Sequence, residues 1–193
     1  MTEGRSSDGD GSEPPASAAA PQPDEVMFSA AVRVEQACHG SREANVRRAA
    51  AGRFAHALTS DVIAFIRGRD SAFLATASAD AQPYVQHRGG PTGFINVLDE
   101  RTLAIPEYPG NRQYISTGHL SENEQAFLFL MDYAHARRLK LWGRAKVADD
   151  RELIGQISGS PGAPAIERAI VFTVLAWDWN CSQYIPRLVP AAR

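Results

Sequence analysis

Apolar and alanine positions repeat in two different ways along the chain, and the change falls near residue 70. The segment from Ser41 to about Arg67 is rich in alanine, which is a strong helix former. Thr59, Ser60 and Asp61 interrupt this segment, and each of them can cap a new helix. The pattern therefore predicts two helices in series rather than one long helix.

After residue 70 the apolar positions come in short runs separated by turn residues, which is typical of β-strands. The predicted strands are Ala72–Ser78, Pro83–Arg88, Phe94–Leu98, Arg101–Pro106, Gln125–Met131, Arg138–Val147 and Ala169–Leu175. Helices are predicted at Arg112–Leu120 and Asp149–Ile157. Because a parallel sheet needs crossovers of about a dozen residues or more, these short connections predict an antiparallel sheet. We expect a mainly β fold of the α+β class, an antiparallel barrel with peripheral helices.

Composition divides the chain into three parts. Residues 1–24 hold 15 Gly, Ser, Pro or Ala, no aromatic residue and a net charge of −4, so a disordered tail is expected there. Residues 25–70 are expected to form a helical part that packs on the barrel, and residues 71–193 to form the barrel domain. A length of 193 residues suits one domain of ordinary size.

Charge and composition argue against several classes of protein. The 20 basic and 22 acidic residues nearly balance, whereas a dedicated nucleic-acid binder has a clear basic excess. Two cysteines do not make a disulfide scaffold. The sequence has no apolar run near the roughly 20 residues that span a bilayer, and it has no recognisable signal peptide. A cytoplasmic location without membrane contact is therefore expected.

Three segments combine residue types that suit an anionic ring compound. Gln86–Gly90 ends a strand with an arginine and two glycines, which suits an anion; the alternative is a salt-bridged surface arginine. Gly110–Gln113 opens a predicted helix and predicts a phosphate site, unless Asn111 is simply the helix N-cap. Trp177–Arg187 is rich in aromatic and amide groups that suit a flat heterocycle, or it is a strand packed on its neighbour.

Other reactive or bulky residues are given ordinary roles. Cys181 is expected to be an inert packed thiol. Three residues could be considered as metal ligands, namely His119, Asp132 and His135. Their spacing matches no ordinary zinc signature, so no metal is expected there. Leu139 and Trp142 are expected to belong to the core.

Four stretches taken together resemble the FMN-binding proteins related to pyridoxamine 5′-phosphate oxidase. In chain order they read SAFLATASADAQPYVQHRGGPTGF, LAIPEYPGNRQYISTGHL, FLFLMDYAHARRLKLWGRAKV and WDWNCSQYIPR, and they span roughly Ser71 to Arg187. The resemblance implies the FMN-binding split β-barrel that is shared with small flavin reductases. It also implies a homodimer that holds two FMN molecules, each in a groove between the subunits.

The same resemblance implies which residues hold the cofactor. The FMN phosphate would be held by Arg88 and its neighbour Gly89, together with a turn made of Asn111, Arg112 and Gln113. Side chains or backbone near the flavin would come from Gln86, His87, Ile105 and Pro106. A polar side chain across the dimer would come from Arg138, and the C-terminal segment would bring to the ring Trp179, Asn180 and Gln183.

The chain departs from the family pattern in three places. PYVQHR lacks the arginine-apolar-apolar-leucine-lysine pattern of true pyridoxamine phosphate oxidases, and the C-terminal segment offers only Arg187 in place of an arginine-x-histidine pair. His119 also stands where relatives more often have asparagine. The first two departures argue against pyridoxamine phosphate as the substrate and leave flavin binding as the expectation.

The function implied is an FMN-dependent oxidoreductase that transfers electrons between the flavin and an unidentified small molecule, with NAD(P)H as a candidate donor. No catalytic residue is assigned; His87 is the best candidate for proton transfer because an unperturbed imidazole titrates near neutral pH. Two alternatives stay open: a flavin-binding or flavin-sensing protein with little turnover, and a split barrel that uses deazaflavin or haem.

Overall fold

The structure is a computed structural model that describes residues 21–159, 165–179 and 182–188. Its helices are α1 (Pro23–Met27), α2 (Ala30–Cys38), α3 (Arg42–Ala50), α4 (Ser60–Arg67), α5 (Ile115–Glu122) and α6 (Arg151–Ile157). Its strands are β1 (Ser71–Ala77), β2 (Pro83–Gly89), β3 (Asn96–Val97), β4 (Thr102–Glu107), β5 (Gln125–Asp132), β6 (Arg137–Ala148) and β7 (Arg168–Trp179). None of the helices in these ranges is long and apolar enough to cross a membrane.

The strands form one antiparallel sheet in the order β2-β1-β5-β6-β7-β4-β3. This arrangement confirms the prediction of a mainly β, antiparallel fold with peripheral helices. Within the described ranges β2 and β3 are the edges, and no pairing between them closes the sheet. The edges matter for function because an edge strand leaves backbone groups and one flank accessible to a ligand or a partner.

Alternation of apolar residues along the central strands builds the core. Leu74, Leu128 and Leu141 lie opposite one another in register on β1, β5 and β6, and all three are fully buried. Helix α4 covers this face with three apolar residues at helical spacing, Val62, Phe65 and Ile66. The intervening strand residues point to the opposite face of the sheet, which is called the outer face below.

A β-bulge changes the register between β6 and β7. Trp142 pairs with Ala176 and Gly143 pairs with Val174, so Leu175 is left without a partner. Gly143 is required here because a Cβ atom would lie 2.3 Å from the Thr173 carbonyl oxygen. The bulge allows β7 to bury residues on both sides of the register change.

The N-terminal helices pack beside the end of β7. Helix α1 contacts β7, and α2 contacts α3. The segment between α3 and α4 is tied to β7 by a bridge between Ala55 and Trp177, and the Trp177 Nε1–H donates to the Ala57 carbonyl at 2.8 Å. The first described helix begins at Pro23, inside the segment expected to be a tail, and residues 1–20 lie outside the described ranges.

Most predicted elements are present, including two helices in series before residue 70, but three boundaries were wrong. The helix predicted from Arg112 begins at Ile115, because the backbone of Arg112 is left-handed and cannot join the helix. The strand predicted at Phe94–Leu98 shortens to β3, since Phe94 and Ile95 turn into the core. The last strand continues past its predicted end to Trp179, because it stays paired with β6.

Candidate functional site

Two segments predicted to bind an anion meet in one groove at the β2 edge of the sheet. Strand β2 contributes Gln86 and Arg88, and the loop before α5 contributes Asn111, Arg112 and Gln113. This arginine groove has a volume of about 70 Å³. Its remaining wall comes from the end of β4, the start of α5 and the start of β7, including Glu107, Tyr114, Ser116 and Arg168.

A buried carboxylate organises the arginines of the groove. Arg88 Nη1 lies 3.0 Å from Glu107 Oε1, and Arg168 Nε lies 3.2 Å from Glu107 Oε2. The second contact is an ion pair without a well-aligned hydrogen bond. The side chains of Glu107 and Arg88 are only 8% and 13% exposed. Arg88 is therefore salt-bridged, as one alternative predicted, but it is buried rather than on the surface.

The sequence reasoning missed Glu107 and Arg168. They lie opposite each other in the β4–β7 pairing, which no local motif reveals. Arg88 Nε is buried and has no hydrogen-bond partner within the described part of the chain. An unsatisfied buried N–H donor of this kind is costly unless water completes it.

The loop before α5 adopts an unusual backbone. Arg112 and Tyr114 have φ angles of 59° and 53°, which are uncommon for residues other than glycine. The Asn111 Oδ1 accepts a hydrogen bond from the Gln113 N–H at 3.1 Å, so Asn111 closes a local turn and is not the helix N-cap. Backbone outliers of this kind concentrate at functional sites.

Helix α5 opens onto the groove with its N-terminus. Its N-cap is Tyr114, whose side chain makes no capping hydrogen bond, and Ile115, Ser116 and Thr117 line the groove. The first N–H groups of a helix have no intrahelical partner and carry a partial positive charge, so they favour an anion. The helix-terminus site predicted from the sequence thus lies three residues further along the chain than expected.

A family model of pyridoxamine 5′-phosphate oxidase matches residues 58–176, which is more than half of the chain. The chain belongs to the pyridoxamine 5′-phosphate oxidase family. This confirms the resemblance seen in the sequence. The arginine groove lies within the matched range, whereas α1, α2 and α3 lie before it.

Solved structures are similar to this chain at low identity, and the two HupZ structures among them share its fold. HupZ of Group A Streptococcus, in a variant with one histidine replaced by alanine, has 13% identity and a TM-score of 0.53, covering 64% of this chain and 99% of that chain. HupZ without that replacement has 12% identity and a TM-score of 0.50, and the match covers 61% of this chain and 90% of that chain. An FMN-binding protein from Syntrophomonas wolfei has 12% identity and a TM-score of 0.45, and the match covers 63% of this chain and 87% of that chain. No curated protein matches the sequence.

The other residues predicted on β2 and β4 do not all face the groove. His87 lies on the outer face, where its ring meets Phe73 edge-on at 5.7 Å, so it points away from Gln86 and Arg88. Gly89 ends β2 opposite Ser71. The role of His87 in proton transfer stays a prediction, and we assign that role to no residue of the arginine groove.

The predicted β4 residues Ile105 and Pro106 are buried next to the groove residue Glu107. Ile105 is part of the core cluster, and its strand pairs with β7 on one side. Ile105 is fully buried, so only its backbone could approach a ligand, whereas Pro106 lines a separate cavity together with Phe94 and Tyr108. Their contribution to a site stays a prediction.

Arg138 and Trp179, two further predicted residues, lie at the other end of the sheet. Trp179 is eleven positions beyond the groove residue Arg168 on β7, which corresponds to about 36 Å along a strand. Arg138 lies on the neighbouring strand β6, and Gln183 is exposed in a turn after β7. Asn180 and Cys181 lie outside the described ranges. One chain therefore does not bring Arg138 or Trp179 to the arginine groove.

One sequence expectation about a single side chain is wrong, and the strand geometry shows why. Trp142 was predicted to be core with Leu139, but it lies on the outer face and is only half-buried, whereas Leu139 is fully buried. No group of three His, Cys, Asp or Glu residues in the described ranges is placed to hold a metal ion. Asp132 instead pairs with Arg69 at 3.1 Å and with His135 at 3.0 Å.

Proposed function

We propose that the protein is a flavoprotein that binds FMN in a homodimer and passes electrons between the flavin and a small molecule. The observation that carries the proposal is that Arg88 and Arg112, which belong to distant segments, line one groove. Membership of the pyridoxamine 5′-phosphate oxidase family supports a flavin as the bound group. When bound, FMN would supply the redox chemistry, and the protein would hold it and shape its surroundings.

The residues of the groove fit a phosphate group. Arg88, Arg112 and Arg168 outnumber the two carboxylates in the wall, those of Glu107 and Glu167. The Glu107 carboxylate fixes two of the guanidinium groups, so they are ordered before any ligand arrives. The N–H groups at the start of α5, which have no intrahelical partner, and the Arg112 side chain supply donors that an anion would meet.

The homodimer is proposed because one chain offers an incomplete site. A groove of about 70 Å³ is far smaller than the roughly 300–1,000 Å³ of ordinary small-molecule pockets. Arg138 and Trp179 lie at the far end of the sheet, so they would reach a flavin held by the groove only from a second copy. The outer face also presents three half-exposed aromatic rings that a second copy could cover, those of Phe73, Phe127 and Phe129.

The first experiment tests the phosphate site. We expect the purified protein to show flavin absorption, and Arg112→Gln to weaken FMN binding about tenfold, since one charge-assisted phosphate contact contributes about 1.5 kcal/mol or more. Arg112 is exposed, so its loss leaves the fold intact. The matched control is Arg151→Gln, which removes an exposed arginine from α6, away from the groove. Full retention of FMN when Arg88→Gln is added would refute the site.

The second experiment separates an enzyme from a binding protein. Anaerobic mixing with NADH or NADPH should bleach the flavin if the protein transfers electrons from a nicotinamide donor. Sedimentation of the FMN-loaded protein should give a dimer, and a yellow monomer would contradict a site shared between subunits. A cytoplasmic location stays a prediction.

A further inference from the structure

A second cavity lies between the N-terminal helices and the outer face of β6 and β7. Its volume is about 500 Å³, which falls within the range of small-molecule pockets and exceeds that of the arginine groove. One wall comes from α2, α3 and the two residues Arg53 and Phe54. The other wall comes from the sheet and includes Trp142 and Trp179, so this space is called the tryptophan cavity.

Aromatic side chains give the tryptophan cavity walls that suit a flat ring. The Trp142 ring is half-buried on the outer face and supplies the aromatic wall of the sheet, whereas the Trp179 ring packs on the inner face, edge-on against Phe65 at 4.9 Å. On the helical side, Phe28 and Phe54 form a second edge-on pair at 5.4 Å. Aromatic planes attract planar ligands through apolar burial and through offset or edge-on ring contacts.

The charges of the cavity favour an anion. Lys140 is neutralised by Asp178 at 3.1 Å. Arg48 and Arg53 also line the cavity, and neither guanidinium forms an ion pair with a described residue. Two arginine charges are therefore left without a carboxylate partner beside the aromatic walls, and an arginine fork binds carboxylate or phosphate well.

Family membership does not assign this cavity. Its helical wall precedes residue 58, where the match to the oxidase family begins, and Asp178 and Trp179 follow the end of the match at residue 176. The wall is nevertheless fixed to the sheet, because the Trp177 indole and backbone bind the segment that carries Phe54. The cavity is thus built on the shared fold from parts that belong to this chain.

We propose that the tryptophan cavity binds a planar aromatic anion, with the ring against Trp142 and the carboxylate or phosphate on Arg48 and Arg53. This site goes beyond the proposed flavin site. The two share only Trp179, which the family resemblance assigns to a flavin ring. A ligand here is a candidate substrate or effector, and its binding does not require that the arginine groove hold FMN.

The test is calorimetry on the full-length protein as purified, with naphthoate as the probe. We expect naphthoate to bind and the neutral naphthamide to bind several-fold more weakly. Arg48→Gln should weaken naphthoate binding about fivefold, which is the size expected for one partly exposed ion pair. Trp142→Leu should weaken both probes, because the ring contact is lost.

The matched control is Arg47→Gln. Arg47 is the neighbouring arginine of α3, it pairs with Glu43 at 3.7 Å, and it does not line the cavity, so this variant should bind naphthoate as the wild type does. The proposal is overturned if naphthoate does not bind, or if both arginine variants weaken it equally. Release of visible flavin by naphthoate would also overturn it. If Arg112→Gln and Arg88→Gln lose FMN but still bind naphthoate, the proposal for the tryptophan cavity is supported.

Discussion

The arginine groove and the tryptophan cavity both collect positive charge, but they hold it differently. In the groove, the Glu107 carboxylate binds Arg88 and Arg168, and the Glu107–Arg88 pair is largely buried. In the cavity, Arg48 and Arg53 are exposed and unpaired within the described chain. Buried, paired groups have fixed positions, whereas exposed arginines keep their rotamer freedom. An anion in the groove would therefore meet arginines in fixed positions, whereas the arginines of the cavity could adjust to the ligand that we propose.

The two regions also differ in where their residues come from. The groove residues lie within the range matched by the oxidase family, while much of the cavity wall lies outside it. A shared fold often keeps one site constant while added segments build another. The proposed cofactor site thus lies within the family match, and most of the proposed second site lies outside it.

Among the variants that test this difference between groove and cavity, Glu107→Gln is expected to have the largest effect on stability. Removing the carboxylate leaves the buried Arg88 and the partly buried Arg168 without their shared counter-charge, which should lower the free energy of unfolding by about 3 kcal/mol. Urea denaturation measures the loss. Glu167→Gln is the matched control, because Glu167 lines the same groove but is exposed.

Added inorganic phosphate extends this test. If the groove is a prepared anion site, phosphate should stabilise the Glu107→Gln protein more than the wild type, since the anion replaces the missing carboxylate. Equal stability of the two glutamine variants would show that the buried charge network does not hold the groove together.

A smaller effect is expected at the cavity from Trp177→Phe. This variant keeps an aromatic ring and removes the hydrogen bond from Nε1–H to the Ala57 carbonyl, which should cost about 1 kcal/mol of stability. Naphthoate binding should weaken as well, because that bond ties the helical wall to β7. Trp142→Phe is the control for stability, and equal losses in both variants would argue against a special anchoring role of Trp177.

The smallest effect is confined to acid pH. Burial works to raise the pKa of the Asp132 carboxyl, but hydrogen bonds from His135 and the Arg69 charge outweigh it and hold the pKa below its usual value. Because the folded-state pKa is lowered, the stabilisation is present at neutral pH and is lost as the pH falls through that value. Urea denaturation should show that the difference in the free energy of unfolding between the wild type and Asp132→Asn becomes smaller as the pH falls. Asp80→Asn, in the exposed β1–β2 turn, is the control for the general effect of removing a surface carboxylate.

The sequence predicted the sheet well because its signals are local. Apolar alternation marks β1, β5 and β6, and the polar turn between β1 and β2 marks the hairpin. The position of Trp142 could also have been predicted from this rule, because it lies three residues after Leu139 and neighbouring faces alternate every residue. Treating the two as one stripe applied helical spacing to a strand.

The rest of the site depends on contacts between distant segments. Glu107 meets Arg88 and Arg168 only after β2, β4 and β7 take their places in the sheet, and no spacing along the chain announces this. The left-handed backbone of Arg112 and Tyr114 has no glycine to signal it, so the start of α5 was predicted too early. The tryptophan cavity exists only because the N-terminal helices dock on β7.

The arginine groove and the tryptophan cavity both use strand β7, and the bulge at Leu175 lies between their parts of this strand. Strand β7 carries Arg168 at one end and Trp179 at the other, and side chains on a strand swap faces with every residue. Deleting one residue beyond the bulge would turn Trp177 out of the core and move the cavity wall, while leaving the groove end in place. Relatives can therefore diversify this strand by substitution, but a change in its length uncouples one region from the other.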